Sequence, residues 1–428
     1  MIHSFIFPRR LRWCPALLLV LVVAACSRDP GPAVRDVLER YRELAHSGYA
    51  DARNAVVELE TAVEALSARP DPATLAQARQ AWVNAKAAYS LTEALRFGHW
   101  FVDEWETRVN AWPLDEGFLD YVADPSLASV SNPHATANLI ASETIDIGGR
   151  QLRLEPLNRR TLLDAQSLSD VEANVATGFH AIEFMLWGQD LNGNGPGAGD
   201  RPWTDFASGD GCTDGPRPAP PRHCRRRQVV LTAATELLRI DLQGMTATWG
   251  PQAGSFGDRL VHGDPDEGLR RLLFGLATLA GEELAGERIR VALVTRAPEE
   301  EQDCFSDQTH RSLWFNTLGI ERFYYGDGAE DDAGPGVAEL ARATDPELAD
   351  ALDAAFAASR QAMQRIFDAG ERGERFDQLI APDNLRGSRL LSDAASALTV
   401  QSALLTRLGI ALGLGTLNPQ APQPGDAP

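Results

Sequence analysis

Helical periodicity dominates this 428-residue chain. Apolar residues recur at steps of three and four, which would place them on one face of an α-helix. The alanine-rich segment 72–97 shows this spacing most clearly, at Leu75, Ala78, Trp82, Ala85 and Tyr89. Pro72 stands at the start, where a helix tolerates proline. We therefore predict a long, core-facing helix over 72–97.

The same periodicity recurs in other segments, and it predicts further helices. These segments are 34–67, 165–187, 225–249, 268–295, 335–368 and 390–414. Sustained period-two alternation, the pattern of a half-buried strand, is absent except for a short hairpin predicted at "IDIGGRQLRLE", residues 145–155, where Gly-Gly supplies the turn. The sequence thus predicts an all-α fold of packed helical bundles.

A stretch rich in Gly, Pro and Asp interrupts the helical pattern at residues 188–224. Such composition is typical of a long loop between folded parts. We take it as the boundary between an N-terminal bundle, 34–187, and a C-terminal bundle, 225–428.

Two cysteines flank the loop segment "CTDGPRPAPPRHC", and its glycine and prolines permit a tight closure. A disulfide between Cys212 and Cys224 is the favoured interpretation in an oxidising compartment. The alternative is a zinc site that also uses His223, but no CxxC partner supports it. Cys304 has no evident mate and is predicted to be a free thiol.

The N-terminus has the features of a secretory signal over residues 1–25. Three arginines precede a short apolar run that ends in small residues. The tetrapeptide Val23-Ala24-Ala25-Cys26 resembles a bacterial lipobox, which implies that Cys26 is lipidated and is followed by a linker, 26–33. Ser27 resembles the outer-membrane sorting signal. The expected location is a lipid-anchored position in the cell envelope, facing the periplasm or the surface; a plain signal peptide is the alternative.

The formal net charge is −20, and removal of the leader with its three arginines makes it more negative. A chain of this charge repels nucleic acid and anionic headgroups. It also attracts cations, although solubility explains acidity equally well. Nucleic-acid binding is therefore excluded from the expected functions.

The segment "TGFHAIEFMLWGQD" places His180 and Glu183 three residues apart, so that a helix would bring both side chains to one face. The pair could ligate a metal or form a satisfied hydrogen bond in the core. It lacks the HExxH pattern of zinc peptidases, because Ala181 occupies the position of the general base. Catalysis is consequently the minority interpretation, and no catalytic residue is assigned.

Two other short segments contain donor-rich spacings. "DLNGNG" at 190–195 begins like a calcium loop, but Arg201 would occupy its last ligand position. In "CFSDQTH", Asp307 and His310 lie at i and i+3, although a helix-capping role is equally well supported. We favour a flexible glycine-rich loop for the first segment.

The chain resembles the imelysin family, described first for insulin-cleaving metalloproteinases. Gly178, His180 and Glu183 match its GxHxxE motif, followed by Trp187. Further similar stretches are "SLTEALRFG" at 90–98, "NAWPLDEGFLDYV" at 110–122, "RPWTDF" at 201–206 and "CFSDQTHRSLWFNTLGIERFYYG" at 304–326. The resemblance extends over about Leu38–Leu414 and is strongest to the iron-regulated protein A branch.

The resemblance implies a two-domain helical fold, a motif near the domain interface and a role in bacterial iron uptake. It also implies that acidic residues join His180 and Glu183, with Glu93 and Asp115 as the candidates. Such oxygen-rich donors suit iron, with zinc or calcium as alternative cofactors, and the expected ligand is iron or an iron-bearing compound. For Glu93 the alternative role is a surface partner of Arg96. The implied partners are the membrane, through the lipid, and an outer-membrane iron transporter. A surface metallopeptidase and a non-catalytic scaffold are the rival functions.

Overall fold

The computed structural model describes residues 32–127, 131–326 and 334–418, together with Met1. The signal segment and the predicted lipidation site Cys26 lie outside the described residues, as do residues 419–428. The described helices and strands lie in the compact unit Gly31–Pro428. Within the described residues, no helix is both long and apolar enough to cross a membrane.

The fold is all-α, which confirms the predicted class. The helices are α1 Val34–Ala68, α2 Pro72–Ser90, α3 Ala94–Gly98, α4 Trp100–Val109, α5 Glu116–Leu119, α6 Arg159–Ala165, α7 Gly178–Trp187, α8 Pro221–Thr248, α9 Phe256–His262, α10 Pro265–Thr278, α11 Ala292–Thr295, α12 Thr309–Tyr325, α13 Val337–Thr344, α14 Pro346–Glu371, α15 Phe376–Ile380 and α16 Leu385–Ala411. A π-helical segment, Leu279–Val291, joins α10 to α11. Short 3₁₀ turns occur at Pro125–Leu127, Leu168–Asp170, Trp203–Phe206, Gly209–Gly211 and Pro298–Glu300.

Long helices pack side by side in two groups. In the first group, α1 packs against α2 and α8, and α7 lies against both α2 and α8. In the second, α16 packs against α14 and the π-helical segment, while α12 packs against α14. Because α12 also contacts α2, the two groups share a continuous apolar core. The predicted division at 188–224 into two domains stays a prediction.

Two of the long helices begin in the same way. The Asp71 carboxylate accepts hydrogen bonds from the backbone N–H groups of Ala73 and Thr74, both at 2.9 Å. The Asp345 carboxylate accepts from Leu348 N at 3.0 Å. In both cases proline follows the capping aspartate, and the cap satisfies amide groups that have no partner within the helix.

The helix predicted over 72–97 ends at Ser90, and α3 begins only at Ala94. Two side chains compete for backbone carbonyls at this point. Ser90 Oγ donates to Lys86 O at 2.9 Å, and Thr92 Oγ1 donates to Tyr89 O at 2.8 Å. Such local bonds offer the backbone an alternative to the helical ladder. The helix predicted over 165–187 is likewise shorter, since only α7 is regular there.

The strands of the described chain form two antiparallel hairpins. Strands β1, Thr144–Ile147, and β2, Arg150–Arg153, pair as predicted. Gly148 and Gly149 have φ of +59° and +92°, which a two-residue turn of this type requires. Strands β3, Thr213–Asp214, and β4, Arg217–Pro218, form a smaller hairpin within the central loop. The structure joins Cys212 to Cys224 in a disulfide beside this hairpin, and Cys304 is a free thiol.

Candidate functional site: a buried histidine–carboxylate cluster

Helix α7, which carries the GxHxxE motif, is buried along its whole length. It begins at Gly178, which has φ of +82° and approaches the carbonyls of Arg108 and Val109 closely. Its C-terminal cap is Gly188, with φ of +71°. Glycine is the residue that reaches such conformations without steric cost. The two glycines therefore permit the chain to turn sharply at each end of a helix that is surrounded by protein.

Tryptophan and arginine side chains hold α7 against α2. Trp82 Nε1 donates to the carbonyl of Phe179 at 2.9 Å, and the ring of Trp82 lies 5.4 Å from that of Trp187, edge to face. Arg79 donates to the carbonyl of Leu186 from Nε at 3.1 Å and from Nη2 at 3.0 Å. The motif-associated Trp187 thus has a packing role, and the arginine satisfies a carbonyl at the end of the helix.

His180, Glu183 and Asp303 form a cluster, hereafter the histidine cluster, whose potential ligand atoms lie within 4.8 Å of one another. His180 Nδ1 lies 2.9 Å from Glu183 Oε2 and 3.9 Å from Asp303 Oδ1. All three residues are fully buried. The i, i+3 spacing on α7 accounts for the first contact, whereas Asp303 comes from the loop that precedes α12.

The two carboxylates of the histidine cluster differ in their hydrogen bonding. Glu183 Oε1 accepts hydrogen bonds from Ser306 N at 3.0 Å and Ser306 Oγ at 2.7 Å. Neither oxygen of Asp303 accepts a hydrogen bond of normal geometry from the described residues. A buried carboxylate that accepts no close hydrogen bond is costly, so Asp303 is the least satisfied member of the histidine cluster.

Lys86, buried on α2, approaches the cluster from the other side. Its Nζ lies 3.5 Å from His180 Nε2 and 3.7 Å from Asp303 Oδ1, and it also donates to Asn110 Oδ1. Burial, followed by Lys86 and Arg288, lowers the pKa of His180 well below its usual value. The imidazole is therefore neutral, which is the form that ligates metals.

The same burial raises the pKa of the two acids, whereas it lowers that of the imidazole. It raises the pKa of Glu183 well above its usual value, with a further contribution from Asp303. It also raises the pKa of Asp303, although Lys86 opposes this effect. Two neighbouring carboxylates and one imidazole are held in a space where a positive charge would be stabilised.

The structure places Glu93 near the cluster but outside it. Arg288 Nη2 donates to Glu93 Oε2 at 2.7 Å, and Asn110 Nδ2 donates to Glu93 Oε1 at 2.9 Å. Burial by itself would raise the pKa of Glu93, but Arg288 and Lys86 outweigh it and the pKa is lowered. One oxygen of Glu93 is thus engaged in a buried ion pair and the other in a hydrogen bond to a neutral amide. Its predicted alternative partner, Arg96, is paired with Asp103 and Glu106.

Asp115 also lies outside the histidine cluster. It lines a cavity of about 400 Å³ and accepts a hydrogen bond from Asn132 Nδ2. The acidic residues of this cavity are Asp115, Glu116, Asp124, Asp190, Glu299 and Glu301. None of the described residues that line it is basic. Asp115 therefore belongs to an acidic cavity, and it is not brought together with His180 and Glu183.

Asp303 and Lys86 are the residues that sequence reasoning missed. Lys86 lies within the predicted helix 72–97, where a single lysine on an apolar face was the available signal. Asp303 directly precedes "CFSDQTH", and nothing in its local spacing distinguishes it from other acids of that region.

The donor separations are compatible with a bound ion. Metal ligands at roughly 2.0–2.2 Å from one ion lie about 3–4 Å from each other. The distances of 2.9 and 3.9 Å from His180 Nδ1 fall in this range. One imidazole with two carboxylates suits a borderline or hard transition-metal ion.

The fold and this cluster define a class of protein: an all-α protein of packed helices with a buried GxHxxE-centred site. The sequence model of the imelysin family matches residues 45–405, and the chain belongs to the imelysin family. No curated protein matches the chain.

Solved structures share the fold. One is an iron-regulated protein A precursor from Parabacteroides distasonis ATCC 8503, with 14% identity and a TM-score of 0.59 over 89% of this chain and 96% of that chain. Another is an imelysin-like protein from Psychrobacter arcticum 273-4, with 14% identity and a TM-score of 0.54 over 88% of this chain and 95% of that chain. At this identity the likeness concerns the fold.

Proposed function

We propose that this protein is anchored in the cell envelope through Cys26 and binds iron through His180, Glu183 and Asp303 as part of iron uptake. The observation that carries the proposal is the buried carboxylate of Asp303, which lacks hydrogen-bond partners beside the His180–Glu183 pair. A bound cation would satisfy all three side chains. The printed name of a structural relative, iron-regulated protein A precursor, agrees with iron as the ion.

The surrounding residues have supporting roles in this proposal. Ser306 orients Glu183 through two hydrogen bonds, and such outer partners fix the position of a ligand. Glu93 acts through Arg288, whose positive charge it balances next to the cluster. Lys86 offsets part of the negative charge of the two carboxylates. An outer-membrane iron transporter is the proposed partner, in keeping with a lipid-anchored protein that takes part in iron uptake.

Binding is favoured over proteolysis by the burial of the cluster. His180, Glu183 and Asp303 are each 0% exposed. A metallopeptidase needs an open metal position that a water molecule and a peptide can reach. In addition, Glu183 Oε1 is occupied by Ser306, and Ala181 stands where a zinc peptidase has its general base. A closed site is suited to retention of an ion.

Metal analysis of the purified protein tests the proposal. We expect iron to bind, as measured by mass spectrometry and by calorimetric titration with ferrous and ferric salts. The double variant His180→Gln with Asp303→Asn should weaken binding by at least about 100-fold, because it removes two of three ligands.

The matched control is His99→Gln, since His99 is equally buried but pairs with Tyr41 at 3.0 Å and not with a carboxylate. This variant should keep its iron. Equal iron binding by the wild type and the double variant would refute the site. A stability loss without a loss of metal would instead support the scaffold function.

A further inference from the structure

A second group of acids, hereafter the carboxylate cluster, consists of Glu301, Asp307 and Asp377. Glu301 and Asp307 belong to the segment between the 3₁₀ turn Pro298–Glu300 and α12, while Asp377 lies on α15. One oxygen from each lies within 4.8 Å of the others. The three residues are 1%, 3% and 1% exposed, respectively. Three acids are therefore enclosed together away from solvent.

Four of the six carboxylate oxygens of the carboxylate cluster lack a hydrogen bond of normal geometry from the described residues. Neither oxygen of Asp377 accepts a bond of normal geometry from the described residues, and the same holds for Glu301 Oε1 and Asp307 Oδ1. Each orphaned buried acceptor costs about 1–3 kcal/mol. Natural structures keep such groups when something else satisfies them, such as an ion or water. The unpartnered oxygens are an observation separate from the acidity of the group.

The charges around the cluster do not neutralise it. Arg375, two residues before Asp377, lies near both aspartates, but its Nη1 is bonded to His310 Nε2 at 2.8 Å. His310 is itself bonded to Glu371 at 3.0 Å. Asp190 adds a further negative charge to the surroundings of Asp307 and Asp377. One arginine therefore faces two of the three carboxylates, and Asp190 adds negative charge beyond them.

The acidic cavity gives a cation access to the cluster. Glu301 and Asp190 both line the cavity of about 400 Å³ described above. A cleft lined by one sign of charge concentrates ions of the opposite sign. Glu301 thus joins the accessible acidic surface to the buried carboxylates.

We propose that Glu301, Asp307 and Asp377 bind a calcium ion at a site distinct from the histidine cluster. The donors are carboxylate oxygens without nitrogen or sulfur, the set preferred by hard cations. Calcium accepts irregular coordination by oxygen at about 2.3–2.6 Å, which spans a group as wide as this one. Magnesium requires closer and more regular ligands. By linking the segment before α12 to α15, the ion would stabilise this part of the fold.

Calorimetric titration of the chelator-treated full-length protein with CaCl₂ tests the assignment. We expect one calcium ion per chain and a rise in the thermal unfolding midpoint with calcium. Asp377→Asn and, separately, Asp307→Asn should weaken calcium binding by at least about 100-fold. Asp383→Asn, at an exposed aspartate shortly after α15, is the matched control and should bind calcium as the wild type does.

The His180→Gln with Asp303→Asn variant separates the two sites. It should lose iron and keep calcium, whereas Asp377→Asn should do the reverse. Absence of calcium binding by the wild type would overturn the assignment. So would calcium binding that survives in both single variants, or that is lost only when the histidine cluster is changed. If Asp377→Asn does not fold, the Asp307→Asn result decides.

Discussion

Asp120→Ala is expected to lower the free energy of unfolding by about 3–5 kcal/mol, as measured by denaturant titration. Asp120 lies between two buried guanidinium groups. Arg227 donates to it from Nε at 2.6 Å and from Nη2 at 3.0 Å, and Arg201 Nη1 donates at 2.7 Å. Removal of the carboxylate leaves two charges buried with insufficient compensation.

The direction of the pKa shift supports this expectation. Burial would raise the pKa of Asp120, but Arg227 and Arg201 outweigh burial and the pKa is lowered. Because its pKa is lowered in the folded state, Asp120 stabilises the fold at any pH above its unfolded pKa. This stabilisation is lost as the pH falls through the folded pKa. The control is Asp164→Ala, since its pair with Arg160 lies on the surface with side chains 40% and 83% exposed. Asp164→Ala should lower the free energy of unfolding by less than about 1 kcal/mol. Equal effects of the two variants would contradict the prediction.

Gly178→Ala is expected to destabilise the protein by about 2–5 kcal/mol and to weaken metal binding at the histidine cluster. Two costs add. Gly178 has φ of +82°, and a Cβ atom would lie 2.4 Å from the carbonyl oxygen of Val109. The backbone must therefore shift at the residue that begins α7, two positions before His180.

Gly254→Ala separates these costs. Gly254 has nearly the same φ, +84°, but nothing lies within 4 Å of the position of its Cβ atom. In this variant, backbone strain should lower the free energy of unfolding by about 1–2 kcal/mol, and the metal affinity should be unchanged. Unfolding curves and metal titration of both variants provide the measurement. If the two variants behave alike, close packing at Gly178 is not the reason for the glycine of the motif.

Patterns that act over a few residues were readable from the sequence. The period of 3.6 residues predicted α1, α8 and α16 closely, since a helix is built from contacts three and four residues apart. Pro72 predicted the start of α2, because a residue in the first turn of a helix needs no N–H donor. Gly-Gly likewise predicted the turn between β1 and β2.

Interruptions of the helices were less predictable. The break after Ser90 depends on hydroxyl groups that bond to nearby carbonyls, and serine and threonine often make the same bonds without ending a helix. The end of regular structure between α6 and α7 is not marked by proline. Apolar periodicity continues across both places, so periodicity could not reveal them.

The histidine cluster shows most clearly what the sequence determined and what the tertiary structure decided. By itself the sequence determined that His180 and Glu183 meet, because residues at i and i+3 share one face of a helix. Only the tertiary structure decided the third member, since Asp303 reaches the pair through the packing of α12 against α2 and of the loop before α12 against α7. The same packing assigned Glu93 to Arg288 and Asp115 to the acidic cavity. Local spacing specifies neighbours along a helix, whereas contacts between distant segments depend on how the whole core is filled.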